Sequence, residues 1–388
     1  MSWVSRSIVE LRREFVSLAS QEGSNVSELC RRFGISRKTG YKWLGRGEAE
    51  GSLLSDRSRR PLESPRRTAE AVEAKIVSLR GEHPAWGGRK LRRRLQDLGE
   101  EGLPAASTIT EILRRNGCLD AGEAAKHKAF IRFEHPRPNG LWQMDFKGPK
   151  QWTQTVGPLS VLDDHSRYLV VLQANGSTRG ELVREQLESA FQWCGVPEGM
   201  LMDHGIPWWG GRAPLGLTQL SLWLMKQGVR LHWSGIRHPQ TQGKVERFHG
   251  ELQRALERRG TGALDGQAWL DSFRWEHNYV RPHEALGMRT PAELWHPSSR
   301  HYDPNPPRWE YPEGARVVKV DSWGKLRWGG RKWNLSSALC GERVQIVQID
   351  QRAQVYYCAT LIRELDLGTQ RSTIVERWVP DQVPKPKL

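Results

Sequence analysis

At 388 residues, 37% of them hydrophobic, the chain is long enough for about two to four domains with real cores. Its formal charge of +15 divides into +9 over residues 1–138 (27 basic, 18 acidic) and +6 over the remaining 250 (32 basic, 26 acidic). That spread favours an extended polyanionic partner over a single basic tail. Five cysteines, Cys30, Cys118, Cys194, Cys340 and Cys358, lie too far apart for a zinc pair, and their odd number argues against a disulfide framework. No signal peptide opens the chain and no apolar run is long enough to span a bilayer, so the expected setting is the cytoplasm, with no membrane partner.

Within a first domain over 1–46, residues 8–46 read as three short helices. Ile8, Leu11, Phe15 and Leu18 recur at helical spacing. Asn25 with Glu28 offers a capping-box-like start to a helix over 26–33, and Gly34 supplies a left-handed stop. Ser36 then caps a basic helix through Leu44. Helix, glycine turn and capped basic helix form a helix-turn-helix, whose second helix would present Arg37, Lys38, Thr39 and Lys42 to DNA. A plain helical hairpin is the bland alternative. Residues 47–68, with Arg57, Arg59, Arg60, Arg66 and Arg67, read as a basic linker, and 69–117 as a second helix-turn-helix. There Arg89, Lys90 and Arg93 belong to a run that serves either as a DNA face or as the wet side of an amphipathic helix. Thr108 and Glu111 look like another capping box.

After a linker over 118–138 the texture changes. Residues 141–146, 157–163, 168–174, 199–203 and 229–233 read as strands, and 178–194, 218–228, 242–259 and 265–279 as helices. Strands followed by alternating helix and strand make 139–303 an α/β domain with a mixed sheet. The prolines at 304, 306 and 307 open a region of short, evenly spaced strands over 304–379, expected to close as a small all-β barrel, and 380–388 reads as a disordered tail.

Within the α/β region stand Asp145 in Trp142-Gln143-Met144-Asp145, Asp203 in Met202-Asp203-His204-Gly205, and Glu246 in the run from His238 to His249 (HPQTQGKVERFH). Two follow apolar strands and the third lies early in a helix. Carboxylates delivered from separate elements to one point are what a pair of divalent ions needs for phosphodiester chemistry. Val245, Phe248, Leu252 and Leu256 give that helix an inward stripe, which leaves Lys244 and Glu246 at its flanks. Lys244, Arg247 and His249 are the candidates for holding phosphate. Asp163 and Asp164 read as turn chemistry and not as metal ligands. Trp208 and Trp209 are open to two readings, base stacking or packing.

These motifs resemble those of bacterial insertion-sequence transposases of the DDE group, whose catalytic core is similar to retroviral integrase, and the likeness covers nearly the whole chain. It implies a ribonuclease H-like core, Asp145, Asp203 and Glu246 as both catalytic and metal-binding residues, and two Mg²⁺ ions with Mn²⁺ as a substitute. It implies double-stranded DNA (element ends and target) as partner, a homo-oligomer on that DNA, and a nucleoid-associated location. Water would first free a 3′-hydroxyl, which then attacks target DNA. The gaps are 57 residues between the aspartates and 42 between Asp203 and Glu246; the second is long for the group, with extra loop at 206–217. His204 and Gln242 stand where many relatives have Asn, as they do in a subgroup of these transposases. A catalytically silent DNA-binding regulator is the rival expectation, and a simple nuclease a weaker one, since a degradative enzyme has little use for two addressing units.

Overall fold

The structure is a computed structural model that describes residues 7–50, 54–56, 67–119, 134–148, 156–210, 216–233, 242–259 and 266–374. The linker arginines Arg57, Arg59, Arg60 and Arg66, the motif residues His238–Thr241 and the tail at 380–388 lie outside the described residues. The chain divides into two compact units, 1–67 and 68–388.

The first unit holds α1 (Ile8–Ala19), α2 (Val26–Arg32) and α3 (Arg37–Glu50). Ser7 and Glu10 form a full capping box on α1, and Asn25 accepts from the backbone N–H groups of Ser27 and Glu28 at the start of α2. Gly34 takes φ 64° in the turn, and Ser36 Oγ accepts from Thr39 N at 3.2 Å to start α3. Phe15, Cys30 and Trp43 fill the centre. Gly40 is required there, because a Cβ would lie 2.5 Å from Cys30 Sγ.

The second unit opens with α4 (Glu70–Glu82), α5 (Gly88–Asp97) and α6 (Ala106–Arg115), packed around Ile76, Leu79, Trp86, Leu91, Ile109, Ile112 and Leu113. The Thr108–Glu111 capping box does not form. Helix α6 starts three residues earlier than that box requires, behind Ala105, which gives no side-chain cap, and Glu111 instead pairs with Arg114 one turn on.

The α/β region is a three-layer sandwich. Its sheet comprises β1 (Trp142–Phe146), β2 (Leu159–Asp163), β3 (Leu169–Gln173), β4 (Gly199–Met202) and, beyond a short β5–β6 hairpin (Trp209–Gly210, Gly216–Leu217), β7 (Arg230–Trp233), in the order β3-β2-β1-β4-β7. The first three strands are antiparallel, while β1–β4 and β4–β7 are parallel, so the sheet is mixed as expected. Helices α7 (Gly180–Cys194) and α8 (Gln219–Lys226) cover one face over Trp142, Met144 and Met200. Helices α9 (Gly243–Arg259) and α10 (Gln267–Trp275) cover the other over Leu162, Leu169 and Leu172.

In the C-terminal region β8 (Arg316–Lys319), β11 (Arg343–Ile349), β12 (Arg352–Tyr357), β13 (Thr360–Asp366) and β14 (Arg371–Ile374) form one antiparallel sheet, in the order β14-β13-β12-β11-β8. The expected barrel is not closed among the described residues. The hairpin of β9 (Lys325–Trp328) and β10 (Arg331–Asn334) pairs only with itself, and β8 and β14 remain edges. The apolar side chains of this region belong to the same core cluster as the α7–α8 face of the sandwich. No helix among the described residues is long and apolar enough to cross a membrane.

Candidate active site

Asp145 comes from β1 and Asp203 from the residue after β4. These strands are parallel neighbours with Trp142 opposite Met200 and Gln143 opposite Leu201, so the same register, carried on, sets Asp145 level with Asp203. Helix α9 packs over that face through Val245, Phe248, Leu252 and Leu256, each no more than 3% exposed. Its first turn brings Glu246, which is exposed. Three elements thus deliver the three acids to one neighbourhood.

The electrostatics record the proximity. Burial first, then the Asp203 carboxylate, and to a smaller degree Glu246, push the Asp145 carboxyl up to about 7, against a lowering by the Phe146 N–H. Burial also raises the Glu246 carboxyl. Asp203 is held by donors: its Oδ1 accepts from Gly205 N and from Trp208 Nε1, both at 2.8 Å. Trp208 is 1% exposed and stacks on Phe146, the neighbour of Asp145, with ring centroids 5.5 Å apart. The packing reading of Trp208 therefore replaces base stacking, and its indole steadies an acid of the trio. Trp209 meets His204 and Trp233 edge-on.

Two of the three expected phosphate-holding residues are turned inward. Lys244 makes an ion pair with Asp164 and is only 14% exposed, so it does not line an open cleft. His249 has Nε2 3.0 Å from Ser160 Oγ and Nδ1 3.6 Å from Asp145 Oδ2. Burial lowers its imidazole to about 4, so it is neutral and offers phosphate no charge. Arg247 alone of these three is exposed. In α5, burial first, and then the nearby Arg281, lower Lys90 to about 8, while Glu251 of α9 and Glu284 oppose the shift. Lys90 therefore faces the α/β region. Arg89 lies 3.5 Å from Glu284, and Arg93 pairs with Asp97 at 2.7 Å. In the first unit Arg37, Lys38 and Lys42 are exposed on α3, with Thr39 half-buried.

Asp163 and Asp164 serve the turn. Asp163 accepts from Asn139 N (2.7 Å), Ser166 N (2.8 Å) and Ser166 Oγ (2.6 Å). Asp164 accepts from Gln143 Nε2 (2.8 Å) and His135 N (2.6 Å) besides Lys244. Sequence reasoning passed over Gln143 and also Asn278. The Asn278 side chain accepts from Leu169 N at 2.8 Å and donates to Leu169 O at 3.0 Å, which ties the start of β3 to the segment after α10. The signal for Gln143 was its place two residues before Asp145, on the same face of a strand.

Asp145, Asp203 and Glu246 offer oxygen donors alone, the set that hard divalent cations take. The charges that shift Asp145 most are the acids Asp203 and Glu246, so a cation would supply a compensating positive charge. The donor chemistry therefore fits. Yet among the described residues no three His, Cys, Asp or Glu side chains are already gathered closely enough to hold a metal ion.

Residues 135–239 and 227–291 match the integrase core domain, and 315–373 match the IS481 family transposase C-terminal domain. Residues 11–61 match a helix-turn-helix domain and 39–113 a homeodomain-like domain. The chain is 25% identical over 286 residues to an insertion element IS407 uncharacterized 31.7 kDa protein of Burkholderia multivorans, covering 71% of this chain and 93% of that one. It is 24% identical over 248 residues to an insertion element IS476 uncharacterized 39.2 kDa protein of Xanthomonas euvesicatoria, covering 60% of this chain and 66% of that one. Among solved structures it matches a chain of the simian T-cell lymphotropic virus intasome in complex with PP2A regulatory subunit B56 gamma. That match has a TM-score of 0.38 and 15% identity, covering 73% of this chain and 96% of that one.

Proposed function

The chain belongs to the insertion-sequence transposases with an integrase-type core, and from that premise we propose that it cuts DNA at the ends of its element and joins the freed 3′-hydroxyl to target DNA. Asp145, Asp203 and Glu246 are the catalytic carboxylates, and together they would hold a pair of Mg²⁺ ions. Such ions, or Mn²⁺ in their place, draw charge from the phosphodiester and activate the attacking hydroxyl. Trp208 and the Gly205 N–H orient Asp203. His249, neutral and close to Asp145, leaves that carboxylate's charge uncompensated for a cation. Arg37, Lys38, Thr39 and Lys42 on α3 address the element end, and Arg247 is the exposed cation of the α9 first turn. Joining two ends requires that they be held together, so the working form is an assembly of copies on DNA.

One observation carries this reading. Two neighbouring parallel strands and one helix deliver three carboxylates, and the central one is half-buried with its carboxyl raised by burial and by the other two acids. The test uses the purified chain, Mg²⁺ and duplexes that carry an element end. Asp145→Asn should lower cleavage and joining by about 10³-fold or more while leaving end binding intact. Strand transfer retained by that variant would refute the assignment. The silent-regulator reading draws on the open spacing of the acids; metal-dependent cleavage by the wild type removes it.

A further inference from the structure

The two residues before Glu246 are tied to different parts of the sheet. Val245 N donates to Gln143 Oε1 at 3.2 Å. Lys244 Nζ donates to Asp164 O at 3.0 Å and pairs with the Asp164 carboxylate. Gln143 Nε2 closes the loop by donating to Asp164 Oδ1 at 2.8 Å. Gln143 is 1% exposed and Asp164 fully buried. Strand β1, the β2–β3 turn and the first turn of α9 are thus linked in one ring of polar contacts.

We propose that Gln143, Asp164 and Lys244 are positioning residues that fix where Glu246 stands relative to Asp145. The inference rests on the carboxylate role proposed above. The first turn of a helix has backbone N–H groups without partners inside the helix, and without a cap it frays. Among the described residues, no hydrogen bond or ion pair holds the Glu246 carboxyl itself, so its place is set by the backbone of that turn. Gln143 caps one of the free N–H groups from another element, and the Lys244–Asp164 pair anchors the adjacent residue.

The spacing makes the device exact in register. Gln143 and Asp145 share a face of β1, and Val245 and His249 are one turn apart on α9. Gln143 meets Val245, and Asp145 meets His249. Two strand residues cover about 6.6 Å and four helical residues about 6 Å, so helix and strand run side by side in step. A slip of one residue would swing Glu246 by about 100° around the helix axis.

Three variants test this: Gln143→Met, Lys244→Met and the double variant Asp164→Asn/Lys244→Met. Lys244→Met leaves a buried carboxylate unpaired and should lower the melting temperature; the double variant removes both charges and should recover most of it. If the ring only supports the fold, recovery of melting restores everything else. If it positions Glu246, the double variant still cleaves about 100-fold more slowly. It also still exchanges the amide hydrogens of residues 244–247 at least about tenfold faster than wild type, with end-duplex binding unchanged. Gln143→Met should show the same faster exchange. Wild-type exchange and cleavage in the double variant would overturn the proposal. A wild type that does not cleave would overturn the function proposed above, and amide exchange in the three variants then decides the positioning role alone.

Discussion

Two groups of acids occupy one sheet and are treated in opposite ways. Asp163 and Asp164, at the end of β2, are fully buried, and each accepts hydrogen bonds from several donors. Among the described residues Asp145, two strand positions along the neighbouring β1 from the glutamine that serves Asp164, has no comparable set. Burial raises the carboxyls of both Asp163 and Asp145, but Ser166 and Asn139 offset it at Asp163, whereas Asp203 adds to it at Asp145. Burial therefore does not distinguish a working acid from a structural one; the shortage of donors does.

The largest expected effect separates the groups by sign. Asp163→Asn replaces an acceptor of three bonds by a group that must orphan at least one buried donor, and should cost about 2–4 kcal/mol of stability, read as a fall in denaturation midpoint. Asp145→Asn should stabilise the metal-free protein. The Asp145 carboxyl is raised to about 7 in the fold from an ordinary 3.8, so the native state holds its proton more tightly than the unfolded one. Wild-type stability then declines as pH rises through that interval, and the loss is complete above about 7. The gap between wild type and Asp145→Asn should open across the same window. Two variants that both lower the midpoint at pH 8 would erase the distinction between the groups.

A second test supplies the missing charge. Mg²⁺ should raise the melting temperature of the wild type and leave Asp145→Asn nearly unmoved. At a free ion concentration 100 times the dissociation constant the gain is about 2.7 kcal/mol. Equal stabilisation of both proteins would place the ion elsewhere.

How much of this was legible depended on how far each contact reaches along the chain. Strands β1 and β4 and helix α9 were readable from local pattern, because apolar runs and the stripe from Val245 to Leu256 declare their own faces. The acids followed from their motifs. The partners of Lys244 were not readable, since Asp164 lies 80 residues upstream and only the folded β2–β3 turn brings it to α9. Lys90 was hidden in the same way: an arginine-rich helix reads as a DNA face or a wet face, and only the fold brings Glu251 and Arg281 near Lys90. In the C-terminal region the buried Arg363 breaks the apolar alternation of β13, which blurs that strand in a period-two reading.

The smallest effect tests the boundary between the two groups of acids. Asp203 is intermediate: it belongs to the working trio yet accepts from Trp208 and Gly205 in the manner of the turn aspartates. Trp208→Phe keeps an aromatic ring beside Phe146 and deletes one donor. If those donors aim the carboxylate, the variant should lose about tenfold in cleavage rate, the worth of one charge-assisted hydrogen bond. The loss should be recoverable in part by raising Mg²⁺, because a carboxylate that is wrongly turned binds its ion more weakly before it fails in the reaction. A rate loss that tracks the fall in melting temperature, and that added Mg²⁺ leaves unchanged, would make Trp208 a packing residue only and return Asp203 to the donor-poor group with Asp145.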